Sequence, residues 1–390
     1  MSLTATELTA GIKPAEAASL EVGEGSQAYD FALDLLRQSV DDENVLVSPL
    51  SALSALAMAE NGASGETLAQ MEQVAGMGAD ELTDLLQAYG ALADDSPLSL
   101  ANSIWLRDSD GLSVEDAFLE ACGGHLGSQV FSAPFDGSTV NDVNTWVSEK
   151  THEMIPQMLD EIPDSAQVLL VNALAFEGDW EEPFEEAMVA PDTFTCEDGT
   201  RRDVTMMRST ELDYLEGELA TGFIKPYAGY DYAFVGLLPA EGVSVRELLE
   251  GLDGDALRSL LTPVEGIVAE IGLPQFTASY EAELSDALQA LGMTDAFDPE
   301  LADFSRMGRG EEGPLFISDV LQKTFVDVNE EGTRAAAATV VTMGEGTAAP
   351  PEPQRGHPRP AVRLPHRGPP RGHAGLYWHR HGRGVGLARK

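Results

Sequence analysis

The chain has 390 residues, and its 66 acidic side chains against 23 basic ones give a formal net charge of −43 at pH 7. Such a charge excludes nucleic acid and acidic membrane surfaces as partners of the main body, because both are polyanions. An apolar fraction of 43% excludes a disordered chain, and no apolar run reaches the roughly 18 residues that a membrane helix needs.

Residues 26–350 form a single predicted unit, because no linker rich in proline, glycine and serine divides them. Residues 1–25 lack the basic segment followed by an apolar one that marks a secretory signal, and they carry no twin-arginine pair. We expect these residues to be a flexible lead-in. Because residues 1–25 show no export signal, they predict a cytoplasmic protein.

The acidic surface is a second compositional signal. A surface rich in carboxylates and nearly free of lysine is typical of a protein that stays dissolved in concentrated salt, where screening removes most of the self-repulsion. We therefore hypothesise that this is an acidic, halophilic protein that is unstable at low ionic strength.

The first two elements in chain order are helices, each with a start signal and an apolar stripe. Ser26 and Ser48 stand at the expected N-caps, and Pro49 follows in the first turn of the second helix. The apolar residues recur at helical spacing: Phe31, Leu35 and Leu36 in the first helix, and Leu50, Leu53 and Ala57 in the second.

Strands are predicted later in the chain. Residues 166–176 are too continuously apolar for a half-exposed strand and indicate one that is buried on both faces. Residues 230–238 and 314–328 are further strand candidates. Because strands and helices alternate irregularly, we predict an α+β class with mixed sheets rather than a regular βαβ winding.

Residues 325–341, FVDVNEEGTRAAAATVV, give conflicting local instructions. Phe325, Val326 and Val328 have the pattern of a strand, whereas the alanines that follow favour a helix. Gly332 between them supplies a flexible backbone position. The segment is either an ordinary alanine-rich helix or a mobile strand that can leave solvent and enter a sheet.

The flanking sequence favours the mobile strand. The stretch resembles the reactive-centre hinge of the serpins, the serine-protease inhibitors that trap proteases by loop insertion. The resemblance runs from about residue 29 to residue 353, so it does not depend on one motif. Further serpin-like motifs follow in the expected order at residues 44–51, 57–63, 65–67, 144–147, 170–173, 176–180, 204–207, 226–227, 238–239, 273–276 and 291–293.

The resemblance implies an α+β serpin fold with three β-sheets, eight or nine helices and an exposed reactive-centre loop at about residues 330–350. It implies a serine-type endopeptidase inhibitor that acts as a suicide substrate, not an enzyme, with no cofactor or metal, in a monomer. The protease cleaves the loop and forms an acyl-enzyme. The freed loop then enters the central sheet as a new strand and distorts the protease before deacylation.

By the same resemblance, the hinge comprises Glu330, Glu331, Gly332, Thr333, Arg334, Ala335, Ala336, Ala337, Ala338 and Thr339. Side chains alternate between the two faces of a strand. Insertion therefore places four small side chains on the inward face: Thr333, Ala335, Ala337 and Thr339. Arg334 stands where many relatives have glutamate, and its outward position tolerates a charge.

A second group matches the serpin shutter and breach, which hold the central strands together until the loop enters: Ser48, Ser51, Asn172, Trp180, Gln322 and Lys323. Ser48 has a simpler alternative role as a helix cap, and Trp180 has one as a core residue. Gln322 stands where relatives usually have histidine. Glutamine forms hydrogen bonds but does not titrate near neutral pH, so we expect no pH gating at this site.

The cleaved bond is predicted at Gly346-Thr347 from the usual loop length, and Thr347-Ala348 is the alternative from the Pro350-Pro351 pair. Small residues on both sides suit a shallow pocket and offer nothing to a trypsin-like aspartate. The predicted partner is therefore a serine protease of subtilisin-like or elastase-like type.

Patterns for catalysis or metal binding are weak. Residues 108–111 lack the ligand spacing of a calcium loop, and no nucleophile elbow, Walker loop or C-x-x-C motif occurs. Outside the tail only His125 and His152 remain for a histidine-based triad. Cys122 and Cys196 can form at most one bridge, and free thiols are the preferred interpretation.

Residues 351–390 depart from the serpin pattern, which ends in two apolar strands. They contain nine Arg or Lys against Glu352 alone, as well as five of the seven histidines. This composition is typical of a GC-rich gene read in a shifted frame, and a basic arm for polyanions or metal is the alternative. Because several prolines remove ladder donors, we expect a disordered tail that does not form the two closing strands.

The altered C-terminus leaves a second function open. The chain is either an inhibitor, or a non-inhibitory serpin-fold binding protein or inactive product. The resemblance favours an extracellular location, in contrast to the sequence start.

Overall fold

The computed structural model describes residues 3–15, 27–40, 44–91, 97–109, 111–310 and 314–334, with the short segments 362–363, 374–379 and 385–389. Within these residues helices and strands alternate irregularly, and the strands form three large sheets and one small one. The predicted α+β class with mixed sheets is confirmed. No helix in these ranges is long and apolar enough to cross a membrane.

Nine α-helices lie in the described ranges: α1 (Gln27–Ser39), α2 (Pro49–Gly62), α3 (Gly65–Ala75), α4 (Ala79–Ala91), α5 (Asp116–Glu120), α6 (Gly137–Lys150), α7 (Val245–Glu250), α8 (Gly254–Leu260) and α9 (Ser285–Ala290). The apolar stripe of α1 is buried as predicted, while Ser26 lies outside the described residues. Helix α2 begins after its Ser48 cap, also as predicted. However, α2 is buried on almost every side rather than along one stripe, because it lies in the middle of the molecule.

The same residues form twenty strands: β1 (Thr6–Glu7), β2 (Leu46–Val47), β3 (Leu98–Arg107), β4 (Ser113–Val114), β5 (Gln129–Ala133), β6 (Val168–Phe176), β7 (Gly178–Asp179), β8 (Val189–Thr195), β9 (Arg201–Glu211), β10 (Asp213–Glu216), β11 (Ala220–Pro226), β12 (Tyr232–Pro239), β13 (Ala269–Pro274), β14 (Phe276–Glu283), β15 (Gly308–Arg309), β16 (Ile317–Val328), β17 (Gly332–Arg334), β18 (Val362–Arg363), β19 (Ala374–His379) and β20 (Val385–Arg389). The three predicted strands are confirmed as β6, β12 and β16. Strand β6 is buried along almost its whole length.

The largest sheet has eight strands in the order β1-β5-β3-β6-β16-β17-β7, with β14 also pairing with β16. A six-stranded sheet has the order β10-β11-β12-β19-β20-β2, and a four-stranded sheet has the order β18-β13-β9-β8. Strands β15 and β4 form a separate pair. The eight-stranded sheet is mixed, because β6 runs parallel to β16 and antiparallel to β3.

The core lies on both faces of the eight-stranded sheet. One face packs against α1 to α4 through residues such as Ile104, Val168 and Leu170. The other face packs against α6 through Trp105 and Leu169, among others. The sheet is therefore enclosed between helices, and a change in its strand order disturbs both layers of the core.

The N-terminal segment is not a flexible lead-in over residues 3–15. Strand β1 pairs with β5, and Thr4 and Ala5 bring three donors to Asp142 Oδ2. The Thr4 N, Thr4 Oγ1 and Ala5 N atoms lie 2.9, 2.6 and 2.7 Å from that oxygen. The prediction was wrong here because a free sheet edge and an acceptor far along the chain hold the segment in place. Residues 16–25 lie outside the described residues.

The prediction for the tail also needs correction. Strand β19 pairs with β12, and β20 pairs with both β19 and β2, so two antiparallel strands do close the six-stranded sheet. All prolines of the tail precede residue 374, so every amide of both strands is a possible ladder donor. Backbone pairing requires no particular side chains, which is why the basic composition does not prevent it. Apart from residues 362–363, the rest of the tail lies outside the described residues.

Both cysteines are free thiols, in agreement with the preferred interpretation. Cys122 is completely buried, and this burial raises the pKa of its thiol far above the usual range. Cys196 is half-buried.

Candidate functional site

The candidate site is the seam between β6 and β16 in the middle of the eight-stranded sheet. These two strands pair in parallel from Val168 and Ile317 to Leu174 and Thr324. Beyond that point β16 continues to Val328, and its partner on the same side becomes β17, while β14 occupies its other side. Strand β17 in turn pairs with β7, which directly follows β6. Strand β17 therefore lies between β16 and β7, at the C-terminal ends of β6 and β16, and we call it the wedge of the seam.

The predicted hinge begins in a tight turn between β16 and β17. Asn329 closes this turn: its N–H donates to the Gly332 carbonyl (2.9 Å), and its Oδ1 accepts from the amides of Glu331 (2.9 Å) and Gly332 (3.2 Å). Of the hinge, the structure describes only the residues up to Arg334. The other predicted hinge residues, Ala335, Ala336, Ala337, Ala338 and Thr339, lie outside the described residues, as do Gly346 and Thr347 of the predicted cleaved bond.

Gly332 is required by the close approach of two backbones. A Cβ atom at this position would lie 2.2 Å from the Gly178 carbonyl oxygen and 2.8 Å from the Asp179 Cα, and neither atom belongs to a flexible side chain. The sequence suggested a flexible backbone position. The structure gives a steric reason for glycine here, since any other residue pushes β17 away from β7.

Thr333 is the buried anchor of the hinge. It is only 1% exposed, and its Oγ1 lies within hydrogen-bond distance (2.5 Å) of the Tyr227 hydroxyl. The Tyr227 ring stacks on Trp180, with centroids 4.5 Å apart and an interplanar angle of 14°. Thr333, the first residue predicted to face inward, therefore contacts a platform formed by the stacked Tyr227 and Trp180 rings.

Trp180 holds the hinge backbone directly. Its Nε1 donates to the Asn329 carbonyl (2.9 Å), and its N–H donates to the Glu331 carbonyl (2.9 Å). The Phe184 N–H donates to the Glu330 carbonyl (3.0 Å). Trp180 is also 2% exposed and packed among aromatic rings, so it is a core residue, and its role as a breach residue stays a prediction.

Ser48 and Gln322 form a two-bond clamp at the middle of the seam. The Ser48 N–H donates to Gln322 Oε1 and the Gln322 Nε2 donates to the Ser48 carbonyl, both at 2.9 Å. Ser48 Oγ also accepts from the Ser51 N–H (3.2 Å), so Ser48 caps α2 as well as contacting β16. Lys323 follows Gln322 and is half-buried on the opposite face of β16.

Asn172 lies on β6 directly beside Gln322, and its Nδ2 donates to Asn102 Oδ1 on β3. Three amide side chains thus cross the sheet in one row. Among the described residues, Asn172 Oδ1 and Ser51 Oγ are buried without a hydrogen-bond partner. Each such atom costs about 1–3 kcal/mol, so the seam is incompletely satisfied in this conformation.

Sequence reasoning missed Asn102, Tyr227, Lys225 and Glu211. Lys225 lies beside the Trp180 platform and pairs with Glu211 at 2.8 Å. A lysine inside the apolar stretch of β11 was the available signal, because a buried lysine needs a partner. Asn102 gave no signal, and Tyr227 was noted only as part of the motif at residues 226–227, since the importance of both depends on neighbours across the sheet. In the described part of the chain, no group of His, Cys, Asp and Glu is arranged to hold a metal ion.

Comparisons with known proteins agree with this geometry. The crystal structure of tengpin, a thermophilic serpin, in its native state matches with a TM-score of 0.87 and 36% identity over 98% of both chains. Tengpin in its latent state matches less well, with a TM-score of 0.77 and 35% identity over 93% of this chain and 96% of that one. The conformation described here is thus more similar to the native state.

Curated relatives give the same result. Serpin B6 of Pongo abelii is 33% identical over 80% of this chain and 87% of its own length. Leukocyte elastase inhibitor of Equus caballus is 30% identical, with the same two coverages. The family model for serpins (serine protease inhibitors) matches residues 26–358. The chain therefore belongs to the serpin family.

Proposed function

We propose that this serpin inhibits a serine endopeptidase as a suicide substrate, by inserting its cleaved loop between β6 and β16. The observation that carries the proposal is the wedge: β17 already pairs with β16 on the side where β6 pairs lower down. Extending β17 along this seam separates β6 from β16. Every further residue that enters replaces one parallel pairing with two antiparallel ones.

The energy of such an exchange is large enough for the task. A new strand of about ten residues gains on the order of 10 kcal/mol if each ladder hydrogen bond contributes about 0.5–1.5 kcal/mol. Antiparallel pairing is also slightly more stable per residue than parallel pairing. The gain is comparable to the whole stability of a typical domain, so it is sufficient to distort an attached protease.

The proposed partner is a subtilisin-like or elastase-like protease, and the inhibitor acts as a monomer. Small residues surround the proposed cleaved bond at Gly346-Thr347, and a relative is named leukocyte elastase inhibitor. Both points favour a protease with a shallow specificity pocket over a trypsin-like one.

Complex formation tests the proposal. We expect a band that survives boiling in SDS after incubation with subtilisin or pancreatic elastase, and none with trypsin. Its mass should be that of the protease plus residues 1–346, because acylation at Gly346 releases residues 347–390 as a separate peptide. Protease with a blocked catalytic serine is the control, because an acyl bond is required. If subtilisin and elastase cleave the loop and leave with full activity, the chain is not an inhibitor.

A non-inhibitory binding protein or inactive product is the second candidate function. It is favoured by one observation: the match to the family model stops at residue 358, before β19 and β20. We propose that the tail arises from a shifted reading frame. Mass spectrometry of the protein from its source, read across residues 350–360, distinguishes a shifted frame from a genuine basic tail.

We also propose that the protein is halophilic. A net charge of −43 leaves most carboxylates without a cationic partner. As salt is diluted from 1 M to 0.1 M, the Debye length grows from about 3 Å to about 10 Å, and repulsion between these carboxylates increases. We expect the far-ultraviolet circular dichroism to show unfolding on dilution to 0.05 M salt. An unchanged spectrum contradicts the proposal.

A further inference from the structure

The residue of interest is Lys225, a buried cation beside the hinge. It lies on β11 and is 2% exposed. Its Nζ is 2.8 Å from Glu211 Oε1 at the end of β9, and Ser209 Oγ donates to the same oxygen at 2.5 Å. The pair is thus closed off from solvent and held between two sheets, since β9 and β11 belong to different ones.

The Lys225 ammonium also faces two aromatic rings. Its Nζ lies over the Phe184 ring, 4.4 Å from the centroid, and over the Trp180 ring, 5.6 Å from the centroid. An ammonium is attracted to the face of an aromatic ring and not to its edge, so it favours one orientation of each ring. The two rings themselves meet edge to face, with centroids 6.2 Å apart.

Both rings belong to residues that hold the hinge. The amides of Trp180 and Phe184 donate to the carbonyls of Glu331 and Glu330, and the Trp180 indole donates to Asn329. We propose that Lys225 is a positioning residue for loop insertion: it orients Trp180 and Phe184 so that the hinge is seated with Thr333 inward. This inference rests on the proposed inhibitory function.

A purely structural role predicts something different. Replacing a buried ion pair with apolar side chains of similar volume is often neutral or stabilising. If Lys225 and Glu211 only fill space, the double variant Lys225→Met with Glu211→Leu therefore keeps both its stability and its seated hinge. If the cation orients the rings, the same variant stays folded but its hinge loosens. Loop insertion, which traps the protease, then becomes slower than deacylation, which releases the cleaved inhibitor.

Hydrogen exchange at the Trp180 and Phe184 amides measures hinge seating without any protease. We expect exchange at both amides to be about tenfold faster in the double variant than in the natural protein, as for the loss of one ring-face contact. We also expect about tenfold more inhibitor molecules to be consumed per protease trapped. The matched control is Arg208→Met. Arg208 lies on β9, like Glu211, and forms a half-exposed ion pair with Asp192 on β8, so its loss should change neither quantity.

A second variant keeps the test decisive if the double variant does not fold. Phe184→Leu removes one ring and leaves the Lys225–Glu211 pair, so exchange at the Trp180 amide should again accelerate. Unchanged exchange in the folded variants overturns the positioning role. If the natural protein forms no complex with any protease, the proposed inhibitory function fails, and hydrogen exchange alone then decides the role of Lys225.

Discussion

Replacing Thr333 with arginine is expected to convert the proposed inhibitor into a substrate. Thr333 is 1% exposed and hydrogen bonded to Tyr227, so the guanidinium enters a closed aromatic site. Among the described residues, the side-chain hydrogen bond of Thr333 is to this neutral hydroxyl and not to an anion. An uncompensated buried charge costs on the order of 3–5 kcal/mol. A cost of 3 kcal/mol in the transition state of insertion slows this step about 100-fold, at 1.36 kcal/mol per factor of ten.

The measurement is the partition between SDS-resistant complex and cleaved free inhibitor at a fixed protease concentration. Acylation is proposed at Gly346-Thr347, 13 residues beyond Thr333 in the sequence, so we expect the rate of loop cleavage to be unchanged while the complex disappears. Thr210→Arg is the matched control, because it makes the same substitution at an exposed position of β9, outside the hinge. Normal trapping by the Thr333→Arg variant would show that this residue does not face inward during insertion.

Replacing Glu60 with glutamine is expected to stabilise the protein at alkaline pH. Glu60 lies on α2, is 0% exposed, and neither of its carboxylate oxygens has a hydrogen-bond partner among the described residues. Burial, together with the charge of Glu72, raises its pKa from the usual 4.5 to about 8. The folded protein therefore keeps this proton at pH values at which the unfolded chain has lost it.

The sign of the pH dependence follows directly. Between pH 4.5 and 8 the folded state binds more protons at Glu60 than the unfolded state, so stability falls as pH rises through this window. At 1.36 kcal/mol per pKa unit, the complete loss is on the order of 5 kcal/mol. Below pH 4.5 the contribution is fully present, and above pH 8 no further loss occurs.

Urea unfolding at pH 5 and pH 8 in constant high salt measures this difference. We expect Glu60→Gln to resemble the natural protein at pH 5 and to exceed its unfolding free energy by several kcal/mol at pH 8. Glu66→Gln removes an exposed carboxylate from the neighbouring helix α3 and keeps Glu60, so its stability should change between pH 5 and pH 8 as that of the natural protein does. Parallel pH profiles for the natural protein and the Glu60→Gln variant would contradict the buried, neutral state of Glu60.

Local patterns were sufficient for several elements. The Ser48-Pro49 pair predicted the start of α2, and the apolar run at 166–176 predicted a strand buried on both faces, which is β6. The strand candidate at 314–328 is β16. These predictions depend only on side-chain periodicity and on the first hydrogen bonds of a helix, both of which act between residues close in sequence.

The family was also readable from the sequence, because many short motifs occur in a fixed order. Their order predicted the shutter and breach residues, but not their contacts. Gln322 was expected to keep hydrogen-bonding capacity; that it binds both backbone groups of Ser48, 274 residues away, became visible only in the folded chain.

The sequence by itself therefore determined the helix start, the buried central strand, the strand before the hinge and the motif order. Only the tertiary structure decided the wedge of β17 in the β6–β16 seam, the Lys225–Glu211 pair beneath the Trp180 platform, the added edge strand β1, and the closing strands β19 and β20. The physical reason is that these contacts join backbone groups and side chains distant in sequence. A free strand edge accepts any chain with available amides, so neither composition nor periodicity indicates which segment will fill it.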